Sequence, residues 1–566
     1  MKRNHVLAVV MGLICAVTLP AQGADKISKD LAKLKDDVAG DILVQFYAAA
    51  NAATLNGVFG APGQIKKTLQ GNTYLVRMPA GQAKQLAKSA LVKYISPDRA
   101  LAGTLDYATP AVYADYGQYY GYTGSNIGVA VIDSGVHDHP DLKDSACSNS
   151  RIVYKQSFVE GDSNVDDKYG HGTHVAGIVG GNGKCAENYS TRSRRFIGVA
   201  PAAKIVSLRV LNASGSGTDS GVIAAIDRAV ELRTQYNIRV MNLSLGRGVY
   251  ENCATDPLCQ AVERAWKAGI VVVASAGNGG RNNTYQNQGY GTISSPGNNP
   301  YVITVGAMRD MSTVSRADDL LASYSSKGPT AYDHYVKPDI VAPGNRLVSY
   351  HAPGSSFSAS SPANMTYRSY YLNGGTGTSA YYLQMSGTSM AAPMVAGAAA
   401  LLLHKDPSLT PDAVKARLMK TATKDFASWS YYTTSSGTTY SIQYDAFAIG
   451  AGYLNVWAAL NSYDTVPQGK YALSPRAVRG SNGVSIMHGT NSIWPGSVLW
   501  GDSTVWGSRV FLNNTSVLWG DSVVWGDSTS TGNSVLWGDS VLWGDSVLWG
   551  DSVVWGDAST TREGDQ

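Results

Sequence analysis

Three short stretches put reactive side chains where a fold could use them. Asp133 closes the apolar run IGVAVID and is followed by Ser134 and Gly135, which predicts a carboxylate at a strand end among hydrogen-bonding neighbours. His171 opens HGTHVAGIVGG, whose small residues and apolar spacing predict a helix beginning at the histidine. Ser389 opens SMAAPMVAGAAALLL in the same manner, with Pro393 expected in the first turn, where a missing N–H is tolerated. A buried helix start offers unpaired N–H groups and partial positive charge, so it can hold an anionic intermediate beside a hydroxyl. Taken singly, the three residues read more simply as a turn aspartate, a loop or cap histidine and an N-cap serine. Their occurrence in one chain, each on the matching kind of element, changes that reading.

The elements that must position them follow from the pattern between Ile127 and about Ser462. Short apolar runs (IGVAVID, KIVSLRVL, RVMNLSL, IVVVASAG, YVITVGA) alternate with helical stretches such as VIAAIDRAVEL and CQAVERAWKAG. Continuous apolar strands between helices imply an α/β fold with a parallel sheet covered on both faces. In such sheets functional groups gather at the carboxyl ends of strands, where Asp133, Gly246 and Asn278 all fall. Before this region, residues 25 to about 110 alternate strand-like and helix-like segments and read as a small α+β unit. From Trp494 onward SVLWGD recurs at a period of six, which cannot belong to the same core.

Composition narrows the classes. A chain of 566 residues can hold two to four domains, and a net charge of +4 over that length gives no field suited to a nucleic-acid partner. The start MKRNHVLAVVMGLICAVTLPAQGADK has a basic end, an apolar stretch and small residues at Ala21 and Gly23, the pattern of a cleaved secretion signal. Secretion is therefore expected, and no other segment reaches the ~18 apolar residues of a transmembrane span. Loss of the signal leaves Cys147, Cys185, Cys253 and Cys259. Three pairings are open in an exported chain, as are four free thiols. Cys253 with Cys259 would close a short loop through Pro257, and Cys147 with Cys185 would tie together two loops flanking the reactive motifs.

VIDSGV, HGTHVAG and GTSMAAPMVAG, in the order Asp, His, Ser, resemble the subtilisin-like serine proteases, the subtilases. The resemblance covers roughly residues 127 to 462, and more weakly 41 to 99, which look like that family's inhibitory propeptide. It implies a subtilisin-like parallel sheet with helices on both faces, Ser389 as nucleophile, His171 as general base and Asp133 as the carboxylate that orients it. It also implies Asn278 as a donor to the oxyanion. Ser244, Leu245 and Gly246, with Ala276 and Gly277, resemble substrate-lining segments whose backbones pair with an extended peptide. Ser294 occupies the position of a glycine at the base of the first specificity pocket, which implies a shallower pocket. His174 reads as structural.

No metal or cofactor is expected in the chemistry. Asp141 of HPDL matches a residue that often binds calcium in the family, yet the loop after the histidine helix, GGNGKCAENYSTRSRRFIGVAP, is longer and basic. That site is expected to be lost, with a Cys147–Cys185 bridge as a replacement brace, while a structural calcium elsewhere stays open. A Ser-, Tyr- and Gly-rich insert, Tyr350 to Met385, precedes the nucleophile and either borders the site or is a plain surface excursion.

The expected layout is a signal peptide (1–23), a propeptide domain (24–110), a catalytic domain (111–463), a linker (464–490) and a β-rich repeat tail (491–566). The expected activity is a self-processing, secreted serine endopeptidase acting on protein or peptide substrates, with its propeptide as intramolecular inhibitor. Two other readings compete. One is an adhesive or envelope-bound protein that works through its tryptophan repeats, and the other is a processing protease of narrow specificity. The tail is expected to stack as a solenoid of short strands, and its ligand is unknown.

Overall fold

The computed structural model describes residues 26–494 apart from 29–30, 33–34, 60–64, 70–71, 98–104, 188–191, 283–287, 435 and 481–482, and beyond 494 only 516–518, 534–536, 553–556 and 565. The expected signal peptide lies outside the described residues, as does most of the repeat tail. No described helix is long and apolar enough to cross a membrane.

The chain divides into two units, residues 1–101 and 102–566. In the first, β1 (Ala39–Phe46), β2 (Ile65–Leu69), β3 (Thr73–Pro79) and β4 (Val92–Pro97) form an antiparallel sheet in the order β2-β3-β1-β4. Alternation puts Ile42, Val44 and Phe46 of β1 and Tyr74, Val76 and Met78 of β3 into one core. Helices α1 (Ala52–Phe59) and α2 (Ala80–Leu86) add Phe59, Ala80 and Ala83 to it.

Helices α3 (Leu105–Ala111) and α4 (Ala114–Tyr119) belong to the second unit, where Ala108, Ala111 and Ala114 are buried. The Thr109 hydroxyl donates to Ile197 O at 3.0 Å. The boundary expected at 110 therefore falls earlier, near 98–104. Alanines that look like the end of a small domain are apolar contacts of the large one.

The large sheet contains β5 (Gly128–Asp133), β6 (Ile152–Ser157), β7 (Lys204–Arg209), β9 (Ile238–Leu243), β11 (Val271–Ser275), β12 (Ile303–Arg309), β13 (Leu320–Leu321) and β14 (Ile340–Pro343). Two short strands, β8 (Ser216–Thr218) and β10 (Leu245–Gly246), lie in a separate sheet. The large sheet runs β13-β12-β11-β9-β5-β7-β6, with β14 also on β12, and only β13 is antiparallel. Every residue of β5, β11 and β12 is buried, so both faces are covered, as the unbroken apolar runs predict. The cover includes α5 (His171–Gly180), α6 (Asp219–Tyr236) and α7 (Pro257–Lys267).

The insert is folded. β15 (Leu347–Tyr350), β16 (Met365–Tyr367) and β17 (Thr378–Met385) make a sheet in the order β15-β17-β16, and α8 (Ser356–Ser360) leads into it. Tyr350 and Tyr382 are buried, and Tyr350 stacks on His139 with centroids 4.1 Å apart. His139 Nδ1 accepts from Asp141 N (3.1 Å) and its Nε2–H faces Tyr381 O (3.0 Å), so the neutral ring satisfies both partners.

Burial holds the His139 pKa down to about 4. Unfolded, the imidazole takes a proton near pH 6.5, so the unfolded chain binds more protons between pH 6.5 and 4 and acid lowers stability. In a Ser389→Ala background, His139→Gln removes this linkage. The stability gap between parent and variant is expected to shrink by about 2 kcal/mol from pH 7 to pH 4.5, read by denaturant unfolding at both values.

α9 (Thr388–Lys405) is buried from Thr388 to Leu403 and packs on α5, β11 and β12, with α10 (Pro411–Lys420) beyond it. A hairpin, β18 (Trp429–Thr433) with β19 (Thr439–Gln443), is followed by α11 (Ala446–Ile449) and α12 (Val456–Leu460).

The stretch 464–490, expected to be a linker, is part of this unit. Ala472 is buried, the Ser474 hydroxyl donates to Asp339 (2.6 Å), and β20 (Arg476–Gly480) pairs with β21 (Gly483–Met487). Trp494, counted as the first repeat tryptophan, is fully buried and donates from Nε1 to Leu473 O (2.6 Å). Ser474 answers a buried carboxylate that lies 135 residues earlier, a partner that the neighbouring residues do not reveal. In the tail, β22 (Ser516–Leu518) pairs in parallel with β23 (Ser534–Leu536), and β24 (Val553–Gly556) returns to lie between β8 and β10.

Candidate active site

The first residue of α5 meets the last residue of β5. His171 Nδ1 lies 2.8 and 3.0 Å from the two carboxylate oxygens of Asp133, and both residues are inaccessible to solvent. A carboxylate can only accept here, so the imidazole carries its proton on Nδ1. Ser134 N donates to Asp133 Oδ1 at 2.7 Å and fixes the carboxylate from its other side. The close approach needs Gly172, because a Cβ there would stand 2.1 Å from Gly135 O.

Asp167, which sequence reasoning missed, holds the start of α5 together with Ser134. Asp167 accepts from Gly170 N (2.6 Å), Thr173 N (2.8 Å) and the Thr173 hydroxyl (2.6 Å), while Ser134 donates to it (2.8 Å) and accepts from Gly172 N (2.9 Å). These are the first N–H groups of the helix, which have no partner within it. Burial pushes the Asp167 carboxyl up, against the hydrogen bonds it accepts. An acid four residues before a helix-opening histidine was the available signal. His174, one turn on, points its Nε2 at Leu347 O (3.1 Å), and burial lowers its pKa to about 3, which fits a structural role.

Ser389 is the second residue of α9, because the helix begins at Thr388. Pro393 consequently lies beyond the first turn, contrary to expectation. Its missing N–H is the one that would have bonded the carbonyl four residues back, that of Ser389. The Ser244 hydroxyl takes that carbonyl instead at 2.8 Å, and Ser389 Oγ in turn donates to Ser244 O at 3.1 Å. The proline therefore leaves an acceptor that ties the serine to the segment after β9.

Asn278 follows β11 at the same edge of the sheet. Its Oδ1 accepts from Thr388 N (2.9 Å) and from the Thr388 hydroxyl (3.1 Å), and Thr388 Oγ1 also accepts from Gly277 N (3.1 Å). With Oδ1 assigned by its donors, Nδ2 is turned toward the Gly387–Ser389 corner, 3.3 Å from where a Cβ on Gly387 would stand; Ser389 N is 3.6 Å from that point. Two N–H donors beside a hydroxyl can stabilise negative charge on a substrate oxygen.

The expected substrate-lining segments separate into two kinds. Ala276 and Gly277 have their backbones engaged: Ala276 N donates to Val305 O, Ala276 O accepts from Ser294 N, and Gly277 O accepts from Ser326 N. Those bonds leave Ala276 N, Ala276 O and Gly277 O occupied within the fold. Leu245 and Gly246 form β10, which pairs in the antiparallel sense with β24. Ser294 sits between the two segments, 2.6 Å from a hypothetical Cβ on Gly246 and 2.9 Å from one on Gly277, so only glycines admit its hydroxyl there. Arg247 bonds Asp219 and Asp256 and exchanges backbone bonds with Ser295, fixing that side.

The insert borders this site. Ser356 N donates to Lys168 O (3.0 Å) and Phe357 N to Tyr169 O (3.1 Å), immediately before His171. The same insert decides the fate of Asp141, whose Oδ2 accepts from the Tyr382 hydroxyl at 2.6 Å and whose Oδ1 accepts from Cys185 N (2.5 Å) and Ala186 N (2.7 Å). A carboxylate so occupied does not fit a calcium site. Among the described residues no group of three or more His, Cys, Asp or Glu side chains could hold a metal ion. Cys147–Cys185 and Cys253–Cys259 are both disulfides, the first closing the loop around Asp141.

The chain is similar to known proteins of one family. A family model described as the subtilase family matches residues 124–452. Serine protease AprX of Bacillus subtilis (strain 168) is 38% identical over 356 residues, 61% of this chain and 72% of that protein. Subtilisin DY of Bacillus licheniformis is 36% identical over 359 residues, 63% of this chain and 99% of its own length. A solved cold adapted subtilisin-like serine proteinase aligns over 57% of this chain and 90% of its own at 30% identity, with a TM-score of 0.38.

Proposed function

This chain belongs to the subtilase family and is a subtilisin-like serine peptidase, and from that premise we propose that Ser389, His171 and Asp133 carry its chemistry. Ser389 Oγ attacks the peptide carbonyl carbon as His171 Nε2 takes the hydroxyl proton, and Asp133 stabilises the imidazolium so formed. Charge on the carbonyl oxygen is met by Asn278 Nδ2 and Ser389 N. His171 then protonates the departing amine, and water, activated by the same ring, releases the acyl group from Ser389.

The buried, two-point bond between His171 Nδ1 and Asp133 carries this reading. An imidazole locked with its proton on Nδ1 has Nε2 as its only basic nitrogen.

Substrate binds as an added strand along Leu245–Gly246, and Ser294 limits the depth of the pocket between Gly246 and Gly277. The precursor is secreted through residues 1–23, and its first unit acts as an intramolecular inhibitor until the connection within 98–104 is cut. Calcium has no part in the chemistry.

Labelling with a serine-directed fluorophosphonate, located by peptide mass, is expected to modify Ser389. Asn278→Ala is expected to lower kcat by about 10²- to 10³-fold with KM little changed. Label on another serine, or an Asn278→Ala enzyme of parental kcat, would overturn the assignment.

A further inference from the structure

The C-terminal end of the chain returns to the cleft at two separate points. The first is backbone pairing. β24 lies antiparallel to β10 on one edge, with Gly556 opposite Leu245 and Trp555 opposite Gly246. On its other edge it is antiparallel to β8, with Val553, Val554 and Trp555 opposite Thr218, Gly217 and Ser216. β24 is thus the central strand of three, on the edge argued above to receive substrate. Because the pairing is antiparallel, the chain advances toward Ser244, the residue whose carbonyl accepts from Ser389 Oγ.

The second point is a carboxylate receptor. Asp565 is 1% exposed. Its side chain accepts from Ser323 N (2.7 Å), from the Ser323 hydroxyl (2.7 Å) and from Arg281 Nη2, and Arg309 Nε stands 4.0 Å away. Its backbone is read as well: Asp565 N donates to Asn345 Oδ1 (3.0 Å) and Asn345 Nδ2 donates to Asp565 O (2.9 Å).

Arg281 lies three residues after Asn278, and Asn345 follows Gly344, whose carbonyl bonds Gly387 N. Asn345 therefore adjoins the turn that leads into Ser389, and Arg281 follows the segment whose Asn278 bonds Thr388. Two arginines at a largely buried site call for an anion, and a side chain that bonds both N–H and C=O of one residue calls for a peptide.

Resting on the peptidase reading above, we propose that the C-terminal end of this chain is an intramolecular ligand of the cleft. It is held by strand addition through Val553–Gly556 and by its Asp565 carboxylate in the Arg281–Ser323–Asn345 pocket, and it competes with other peptides for the site. Tethering makes this competition independent of enzyme concentration. The repeat gives the device spare copies: SVVWGD occurs at 522–527 as well as at 552–557. The same chemistry defines a class of outside ligand, an extended peptide that carries an acidic residue several positions beyond its paired strand.

Two full-length variants test it. Asp565→Lys reverses the charge in the receptor, and the double substitution Val554→Pro with Trp555→Pro removes N–H groups from the added strand. Hydrogen exchange is followed in peptides covering Ser216–Thr218 and Ser244–Gly246, together with KM for a short peptide substrate per fluorophosphonate-titrated site. Each variant is expected to exchange about tenfold faster in those peptides and to show a KM lower by about the same factor at unchanged kcat. A synthetic peptide of residues 552–566 is expected to restore the higher apparent KM.

Faster exchange in a chain that hydrolyses nothing sustains occupancy of the cleft and counts against the peptidase assignment instead. Normal hydrolysis with exchange and KM equal in parent and both variants overturns the proposal. So does an intact mass showing that the active enzyme has already lost residues 553–566.

Discussion

Ser389→Ala, expressed at full length, is expected to hydrolyse peptides about 10⁴- to 10⁶-fold more slowly than the parent and to keep the first unit attached. The loss is expected to be large because, in the proposed mechanism, this hydroxyl forms the bond to substrate, while the proposed oxyanion donors polarise the carbonyl. The variant should still fold. Ser389 Oγ gives up one bond, to Ser244 O, while the Ser389 carbonyl keeps the Ser244 hydroxyl that replaces the missing Pro393 N–H. Intact mass reads the second part of the prediction. The parent should begin within 98–104, whereas the variant should retain the residues before it. A variant processed at the parental rate would assign the cut to another protease, and parental turnover would remove Ser389 from the chemistry.

Asp133→Asn is expected to lower kcat by about 10⁴-fold while KM changes little. The surroundings make the direction specific to this site. Ser134 N donates to Asp133 Oδ1 at 2.7 Å, so an asparagine would keep its oxygen there, 2.8 Å from His171 Nδ1, and hold its NH₂ at the Oδ2 position, 3.0 Å from the same nitrogen. An imidazole that accepts from that NH₂ at Nδ1 carries its proton on Nε2, where it cannot take the proton of Ser389. The substitution leaves the proposed substrate strand at Leu245–Gly246 unchanged, which is why the effect is expected in kcat. If the variant keeps more than a tenth of parental kcat, the carboxylate is not orienting a general base. Histidine NMR is an independent check, since the Nδ1–H resonance of His171 should disappear.

Much of the catalytic unit was legible from the chain. Asp133, His171 and Ser389 each stand where an apolar run changes element type, so strand end and helix start could be read from neighbours a few residues away. The folded insert, the packing of Ala472 and Ser474 within 464–490 and the return of β24 were not legible. Tyr-, Ser- and Gly-rich stretches look like surface until a partner is known, and the partner of Tyr382 is Asp141, 241 residues earlier. Asp141 illustrates the same limit from the other side. Its motif suggested an ion, and the loop after α5 argued against one, but only the fold shows which hydroxyl and which N–H groups fill the carboxylate.

The order of elements and the parallel sheet were thus determined by local pattern, because strand and helix formation depend on the periodicity of adjacent side chains, whereas the choice of Asp133, His171 and Ser389 rested on the resemblance of their three motifs to one family. The tertiary structure decided what those residues do to one another: that the Pro393 gap is filled by Ser244, that Asp167 holds the start of the histidine helix, and that Asp565 sits between Arg281 and Asn345. Each is a hydrogen bond or ion pair made after chain segments meet. Its donor and acceptor can be named from sequence, but their meeting depends on packing that no short window of residues encodes.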